Sequence, residues 1–238
     1  MEPGRLNIFV KVSQLSQHQA LAWCGHREAL YHIFAYLKKH ENDTPIVFNP
    51  KIPNIDERVF NSNADLRDFY GDVCEELPPN MPEPKGKGVN ISCFVDAKHA
   101  GNVITRRSHT GIIIYVQNAP IIWFPKRQNP VESSSLGVNL MRSVPQKICL
   151  SRFDASFECL ACQLMVRPMY YYGCENNNVV TNTTIPESML AKKHNAINYH
   201  AVHEAVASKI VHVDKEDGMT NLADLFAKVL TANHVLVQ

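Results

Sequence analysis

Three acidic residues end or open segments where a carboxylate is costly unless it has something to hold. Asp96 closes the apolar run Cys93-Phe94-Val95, just before Ala97. A carboxylate at the end of a buried strand is expensive unless it is paired or holds a cation. Glu175 follows a second strand-like run, Tyr170-Tyr171-Tyr172-Gly173-Cys174. Asp224 stands in Thr220-Asn221-Leu222-Ala223-Asp224-Leu225, at the head of an amphipathic segment. Three acids from three separate elements are the donor set of two-metal phosphoryl transfer. Mg²⁺ takes hard oxygen ligands, and two ions roughly 4 Å apart clamp the attacking and leaving oxygens. Each acid also has a plainer reading. Asp96 would equally cap a turn before Gly101. Asp224 falls in a first helical turn, where an anion is favoured anyway, with Thr220 or Asn221 as the cap.

Basic residues accompany these acids. Arg106-Arg107-Ser108-His109 lies between the first two expected strands, and Lys126-Arg127-Gln128 ends the third. All four cations suit a phosphate backbone, and all four suit a solvated turn. Two further groups look like metal ligands and are read otherwise. Cys159-Leu160-Ala161-Cys162 is followed by His194, His200 and His203, but the gap far exceeds a zinc finger's and no second CxxC exists. The two thiols read as buried in an apolar segment, and His200 and His203, on one helix face, as surface residues.

The elements that must position these residues follow from periodicity. Leu30, Ile33, Phe34 and Leu37 recur at i, i+3, i+4, i+7, with Arg27, Glu28, Lys38 and Lys39 on the other face, so Ala22 to His40 reads as one amphipathic helix. The cations of its last turn complement the helix dipole. Its apolar stripe cannot be buried alone and implies a partner. A short strand at Pro45 to Phe48 follows. From there to Gly88 prolines punctuate the chain, ending Pro82-Glu83-Pro84-Lys85-Gly86-Lys87-Gly88, which predicts an irregular connector. Val89 to Ala97, Gly111 to Gln117 and Ala119 to Phe124 then read as three strands of a meander, with Asn118-Ala119-Pro120 as a hairpin loop. Later come a strand at Tyr170 to Cys174, a helix from about Tyr199 to Ser208, a strand at Lys209 to Val213 and a helix from Asn221 to Leu230. Strands first, then alternating helix and strand, predict an α/β mixed sheet flanked by helices.

Composition narrows the setting. The 238 residues carry 24 Lys+Arg against 23 Asp+Glu, a net charge of +1, which excludes a strongly basic module held to nucleic acid by charge alone but leaves room for a local basic cleft. The longest apolar runs, Ile112 to Val116 and Ile121 to Phe124, are far too short to span a membrane. Met1-Glu2-Pro3-Gly4-Arg5 lacks a signal pattern, and seven cysteines form no framework, so an intracellular, reducing setting (cytoplasmic or nuclear) is expected.

Four ordered motifs then carry a resemblance. Ile91 to Gly101 (ISCFVDAKHAG) with Thr105 to Gly111 (TRRSHTG) resembles the opening of the ribonuclease H domain of copia-type LTR retrotransposon Pol polyproteins. Ala119 to Phe124 with Lys126-Arg127-Gln128 is similar to that family's third strand. Lys192 to His200 (KKHNAINYH) and Asn221 to Lys228 (NLADLFAK) are similar to two later runs, and Ala22 to His40 to the helix that ends the reverse transcriptase module. The resemblance implies a ribonuclease H-like, mixed five-stranded sheet flanked by helices at 89–238. Ahead of it would lie a Pro-rich connector at 51–88 and, at 1–50, a remnant of the end of a truncated reverse transcriptase.

The same resemblance implies Mg²⁺ (or Mn²⁺) dependent hydrolysis of the RNA strand of RNA–DNA hybrids. Asp96 is carried over as the first metal ligand and Asp224 as the last. Two positions depart from the pattern. Asn139, in Val131 to Arg142, stands where the family has Glu, and Glu175 stands where it has Asp. An amide supplies no charge, and Glu moves the carboxylate by one methylene, so impaired catalysis is expected. Ser143 to Tyr172 departs further: Pro145 and Pro168 interrupt the expected helix, as in a frameshifted or decayed segment. The paired aspartates of a polymerase palm are absent, so DNA synthesis is not expected. The alternative is an inactive retroelement remnant that at most binds nucleic acid. The partners implied are an RNA–DNA hybrid and the missing reverse transcriptase domain, with no membrane.

Overall fold

A computed structural model describes residues 6–41, 66–73, 91–102, 104–116, 119–128, 170–174, 177–185, 196–208, 211–218 and 220–227. The strands are β1 (Ile91–Lys98), β2 (His109–Val116), β3 (Ala119–Arg127), β4 (Tyr170–Cys174) and β5 (Val211–Lys215). They form one five-stranded sheet in the order β3-β2-β1-β4-β5. β1, β2 and β3 are an antiparallel meander, and β4 and β5 join parallel to β1. The sheet is mixed, as the motifs imply.

Residue type explains each strand's place. Ile91 to Val95 and Ile112 to Tyr115 are buried along their whole length. Near-continuous apolar runs suit central strands covered on both faces, which β1 and β2 are. β3 lies at the edge, where Pro120 and Pro125 cost no ladder bond to a further strand. Its register shifts opposite Ile114 and Tyr115, which pair with Ile122 and Pro120, so Ile121 bulges out and is exposed.

Strand alternation divides the core in two. Cys93, Val95, Ile112 and Ile114 face one side of the sheet, packed with Val179, Val202, Val206, Val213 and Leu66. Those residues come from α4 (Asn177–Thr184), α5 (Ala196–Ala207), β5 and the residue before α3 (Arg67–Tyr70). Phe94, Ile113 and Tyr115 face the other side, packed with Val10, Leu222, Ala223, Phe226 and Trp123. That second face is covered by α1 (Leu6–Ser16) and α6 (Asp224–Ala227) with the turn before it. Helices therefore flank both faces of the sheet.

The five strands expected from Val89 onward and the helix after residue 195 are present, with ends shifted by a few residues, and the last expected helix is described as α6. Three helices escaped the sequence reading, among them the single turn α3 within the stretch expected to be an irregular connector. α1 buries Val10 against the second cluster. α4, Asn-Asn-Val-Val-Thr-Asn-Thr-Thr, is poor in helix formers and is held by packing: Val179 and Thr183, one turn apart, are both buried, and Thr183 Oγ1 donates to Val179 O at 2.8 Å. α2 (Cys24–Lys39) corrects the expected stripe. Ile33 is buried, but Leu30 and Phe34 are 42% and 57% exposed. α2 packs on α1, and contact with one helix covers only a narrow seam of it. Pro45 to Phe48, most of the Pro-rich connector and residues 143–169 lie outside the described residues. No helix among those described is long and apolar enough to cross a membrane.

Candidate active site

The acid end of the site begins with strand register. Asp96 is two residues beyond Phe94 on β1, so its side chain lies on the α1–α6 face of the sheet. Its cross-strand partner on β2 is Gly111. A Cβ built on Gly111 would lie 2.4 Å from Ala223 O, 2.7 Å from Phe226 Cβ and 2.8 Å from Ala227 N. The backbone of α6 therefore rests directly on the strand at that point, an approach that only glycine permits. The helix that seats there begins with Asp224. Asp96 and Asp224 are thus brought to the same sheet face around one glycine, and they are 4% and 7% exposed.

The turn leading into α6 is tied down by Asn221, which is fully buried. Its Oδ1 accepts from Ala223 N at 3.1 Å, an N-cap-type bond, and its Nδ2 donates to Val95 O at 3.2 Å. Its backbone N–H donates to Asp217 O at 2.9 Å and its carbonyl accepts from Asp224 N at 3.1 Å. Of the two caps considered from sequence, Asn221 is the one whose side chain bonds the backbone leading into α6. The signal for its second role, an amide reaching β1, was not in the local sequence.

Glu175 and Asn139 lie outside the described residues, so the described part of the expected donor set is Asp96 and Asp224. Among the described residues no group of three His, Cys, Asp or Glu side chains forms a metal cage. The two buried carboxylates fit a hard divalent cation by donor chemistry, since such ions take oxygen ligands.

The four cations are placed differently from one another. Arg106 and Arg107 lie in the turn between β1 and β2. Asn102 Oδ1 accepts there from Ile104 N and Thr105 N at 3.0 and 2.9 Å, and Arg106 is exposed with a φ of 54°. Lys126 and Arg127 are neighbours on β3 and so project to opposite faces. Arg127 pairs in register with His109, which pairs with Lys98, so these three share the face of Asp96, one step along the strands. Lys126 is exposed on the other face, opposite Thr110.

A polar link that sequence reasoning missed closes this end. Gln17, just past α1, has its Oε1 accepting from Arg127 Nη1 at 3.3 Å and its Nε2 donating to Ser13 O at 3.3 Å. The same Nε2 is 2.9 Å from His109 Nε2. With its amide oriented by a pure donor and a pure acceptor, Gln17 presents an N–H to His109, whose Nε2 must be the lone-pair nitrogen. Burial, then the nearby Arg127 charge, lowers the His109 pKa below its ordinary value, which agrees with a neutral ring.

On the opposite face His203 corrects its reading as a surface residue. It is 2% exposed, its Nε2 hydrogen-bonds to Asn182 O, and its ring packs at a tilt against Tyr199 with centroids 4.2 Å apart. Burial lowers its pKa. It is a core histidine joining α4 and α5. His200 is exposed and bonds Tyr70 at 2.9 Å through Nδ1.

No protein-family model matches the chain. Over 150 residues, 62% of its length, the chain is 29% identical to the retrovirus-related Pol polyprotein from transposon RE2 of Arabidopsis thaliana. Over a stretch of the same size it is 30% identical to that from transposon RE1. In each case the match takes in 10% of the relative's own length. Among solved structures, the N-terminal RNase H domain of a Mycobacterium tuberculosis protein, fused to maltose-binding protein, aligns with a TM-score of 0.37 at 12% identity. That alignment covers 63% of this chain and 98% of the other. The prototype foamy virus protease–reverse transcriptase aligns with a TM-score of 0.32 at 8% identity, over 70% and 22% of the two chains. By sequence, then, the chain is similar to a short stretch of retrovirus-related Pol polyproteins from transposons, and its fold is a five-stranded mixed sheet with helices on both faces.

Proposed function

We propose that the chain is a ribonuclease H-like domain of a copia-type retrotransposon polyprotein, which hydrolyses the RNA strand of an RNA–DNA hybrid at an impaired rate. The observation that carries this reading is the pair of buried carboxylates, Asp96 and Asp224, that Gly111 and the turn before α6 bring to one sheet face. Glu175 completes the acidic set in this reading, and Asn139 takes a fourth position as a neutral oxygen donor. These residues would hold Mg²⁺ or Mn²⁺, which when bound supplies charge to the scissile phosphate and an activated water. The chain's own part is to hold two negative oxygen donors rigidly on a dry sheet face and so fix where the phosphate is received. Arg106, Arg107, Lys126 and Arg127 would contact the backbone of the hybrid, whose recognition rests on shape and 2′-OH groups rather than base sequence. The domains follow the motifs: 1–50 from the end of a reverse transcriptase, 51–88 a connector, 89–238 the nuclease-like unit. A reverse transcriptase domain is the expected partner, in an intracellular setting.

One sequence feature favours a second reading, an inactive remnant that binds nucleic acid. Asn139 offers no charge where the resemblance expects Glu, so a second ion would be held weakly. Cleavage of an end-labelled hybrid in Mg²⁺ separates the two. We expect slow cleavage that falls at least a hundredfold in Asp96→Asn and Asp224→Asn, since each replaces a charged oxygen ligand of the reacting phosphate's cation by a neutral amide. Binding without cleavage by the unaltered chain would establish the remnant, and cleavage indifferent to both substitutions would remove the site assignment.

A further inference from the structure

We infer that Asn221 is a positioning residue for the acid pair: its side-chain amide sets the separation of Asp224 from Asp96 by fastening the turn before α6 to β1. The inference rests on the reading of those two acids as a divalent-metal site. Asn221 differs from an ordinary helix cap in what its second atom does. Oδ1 makes the local bond, to Ala223 N at 3.1 Å, while Nδ2 reaches out of the turn to Val95 O at 3.2 Å. Val95 immediately precedes Asp96 in β1, and Ala223 immediately precedes Asp224. One buried amide therefore bonds the residue before each acid, and its bond to Val95 spans 126 positions of the chain.

The contact at Gly111 supports the same arrangement from the next strand. With Ala223 O above it, β2 fixes how close α6 can come to the sheet, and the Asn221–Val95 bond fixes where along β1 it sits. Two constraints at right angles are needed to hold a carboxylate in place, because a helix resting on a strand can still slide along it. A metal held by groups from two elements is sensitive to that slide, and loss of an outer partner of this kind costs typically 10–100-fold in metal affinity.

Serine and threonine at 221 can still cap Ala223 N but are too short to reach Val95 O, so they separate the positioning bond from the cap. Mn²⁺ binding, read from the electron paramagnetic resonance signal of the free ion, tests this without requiring turnover. We expect the full chain to bind Mn²⁺ in a manner lost in Asp96→Asn, and Asn221→Ser and Asn221→Thr to bind about tenfold or more weakly while keeping the far-ultraviolet circular dichroism of the parent. Val202→Ala, a cavity in the opposite core, serves as the control for lost stability alone and should leave Mn²⁺ affinity unchanged. Parent-like Mn²⁺ affinity in the folded 221 variants would overturn the positioning role and leave the metal site standing. An equal loss in Val202→Ala would reduce Asn221 to general stability. No Asp96-dependent Mn²⁺ binding by the parent would overturn the metal site itself, and this inference with it.

Discussion

Gly111 has no room for a side chain. A methyl there would meet Ala223 O at 2.4 Å, and the atoms in the way are mostly α6 backbone, which cannot rotate aside as a side chain does. Gly111→Ala must push α6 off the sheet, and overpacking of this kind costs typically 1–3 kcal/mol. We expect the upper part of that range, about 3 kcal/mol in urea unfolding, together with weakened Mn²⁺ binding, because the displaced helix carries Asp224. A stability loss below about 0.5 kcal/mol would show that α6 is not seated on β2. At this scale the sequence was informative about residue type and silent about neighbours. Asp96 and Asp224 could be picked out because an acid beside an apolar run is unusual. Gly111 and Asn221 could not, since glycine in a strand and asparagine before a helix have commoner local explanations.

The elements add a dependence on pH. α1 is fastened to the ends of β2 and β3 by Gln17, and that fastening requires a lone pair on His109 Nε2. His203, joining α4 to α5, is the second buried histidine whose pKa is lowered, and in both burial is the first cause. A base whose folded pKa lies below its unfolded value favours the folded state in its neutral form. The stability it contributes is fully present above the ordinary histidine value of 6.5 and is lost as the pH falls from there through the folded values. Unfolding by urea at pH 7.5 and 5.5 should therefore show a less stable protein at the lower pH, with a smaller difference in His109→Gln and in His203→Gln. Equal stability at the two pH values in the unaltered chain would contradict this. The groups paired with His109 across the strands are Lys98 and Arg127, both cationic, and the Arg127 charge opposes protonation of the ring.

For the molecule as a whole, a net charge of +1 means that any hold on a polyanion comes from a few placed cations and not from the general field. Arg127 shares the sheet face of Asp96, while Lys126 points away from it. Hybrid binding, measured by fluorescence anisotropy across salt concentrations, should have a log–log slope no steeper than about −4, roughly −0.9 for each phosphate neutralised by the four cations. Arg127→Ala should weaken it more than Lys126→Ala; the reverse order would place the hybrid on the other face. The strands of this fold were legible beforehand, because the short apolar runs at β1 and β2, β-branched through Ile112 to Ile114, are bounded by turn residues. So was the motif order that suggested a retroelement domain. The helices α1, α3 and α4 were not: α3 is a single turn in a proline-punctuated stretch, and α4 is built from Asn and Thr that only packing makes helical. The sequence by itself determined which residues could bear charge in a sheet-centred domain and in what chain order they come. Tertiary structure alone decided that β4 and β5 join parallel beside β1, that α6 lands on Gly111, and that Asn221 reaches Val95. Each of these joins residues far apart in the chain, and short-range patterning carries no information about such distant pairings.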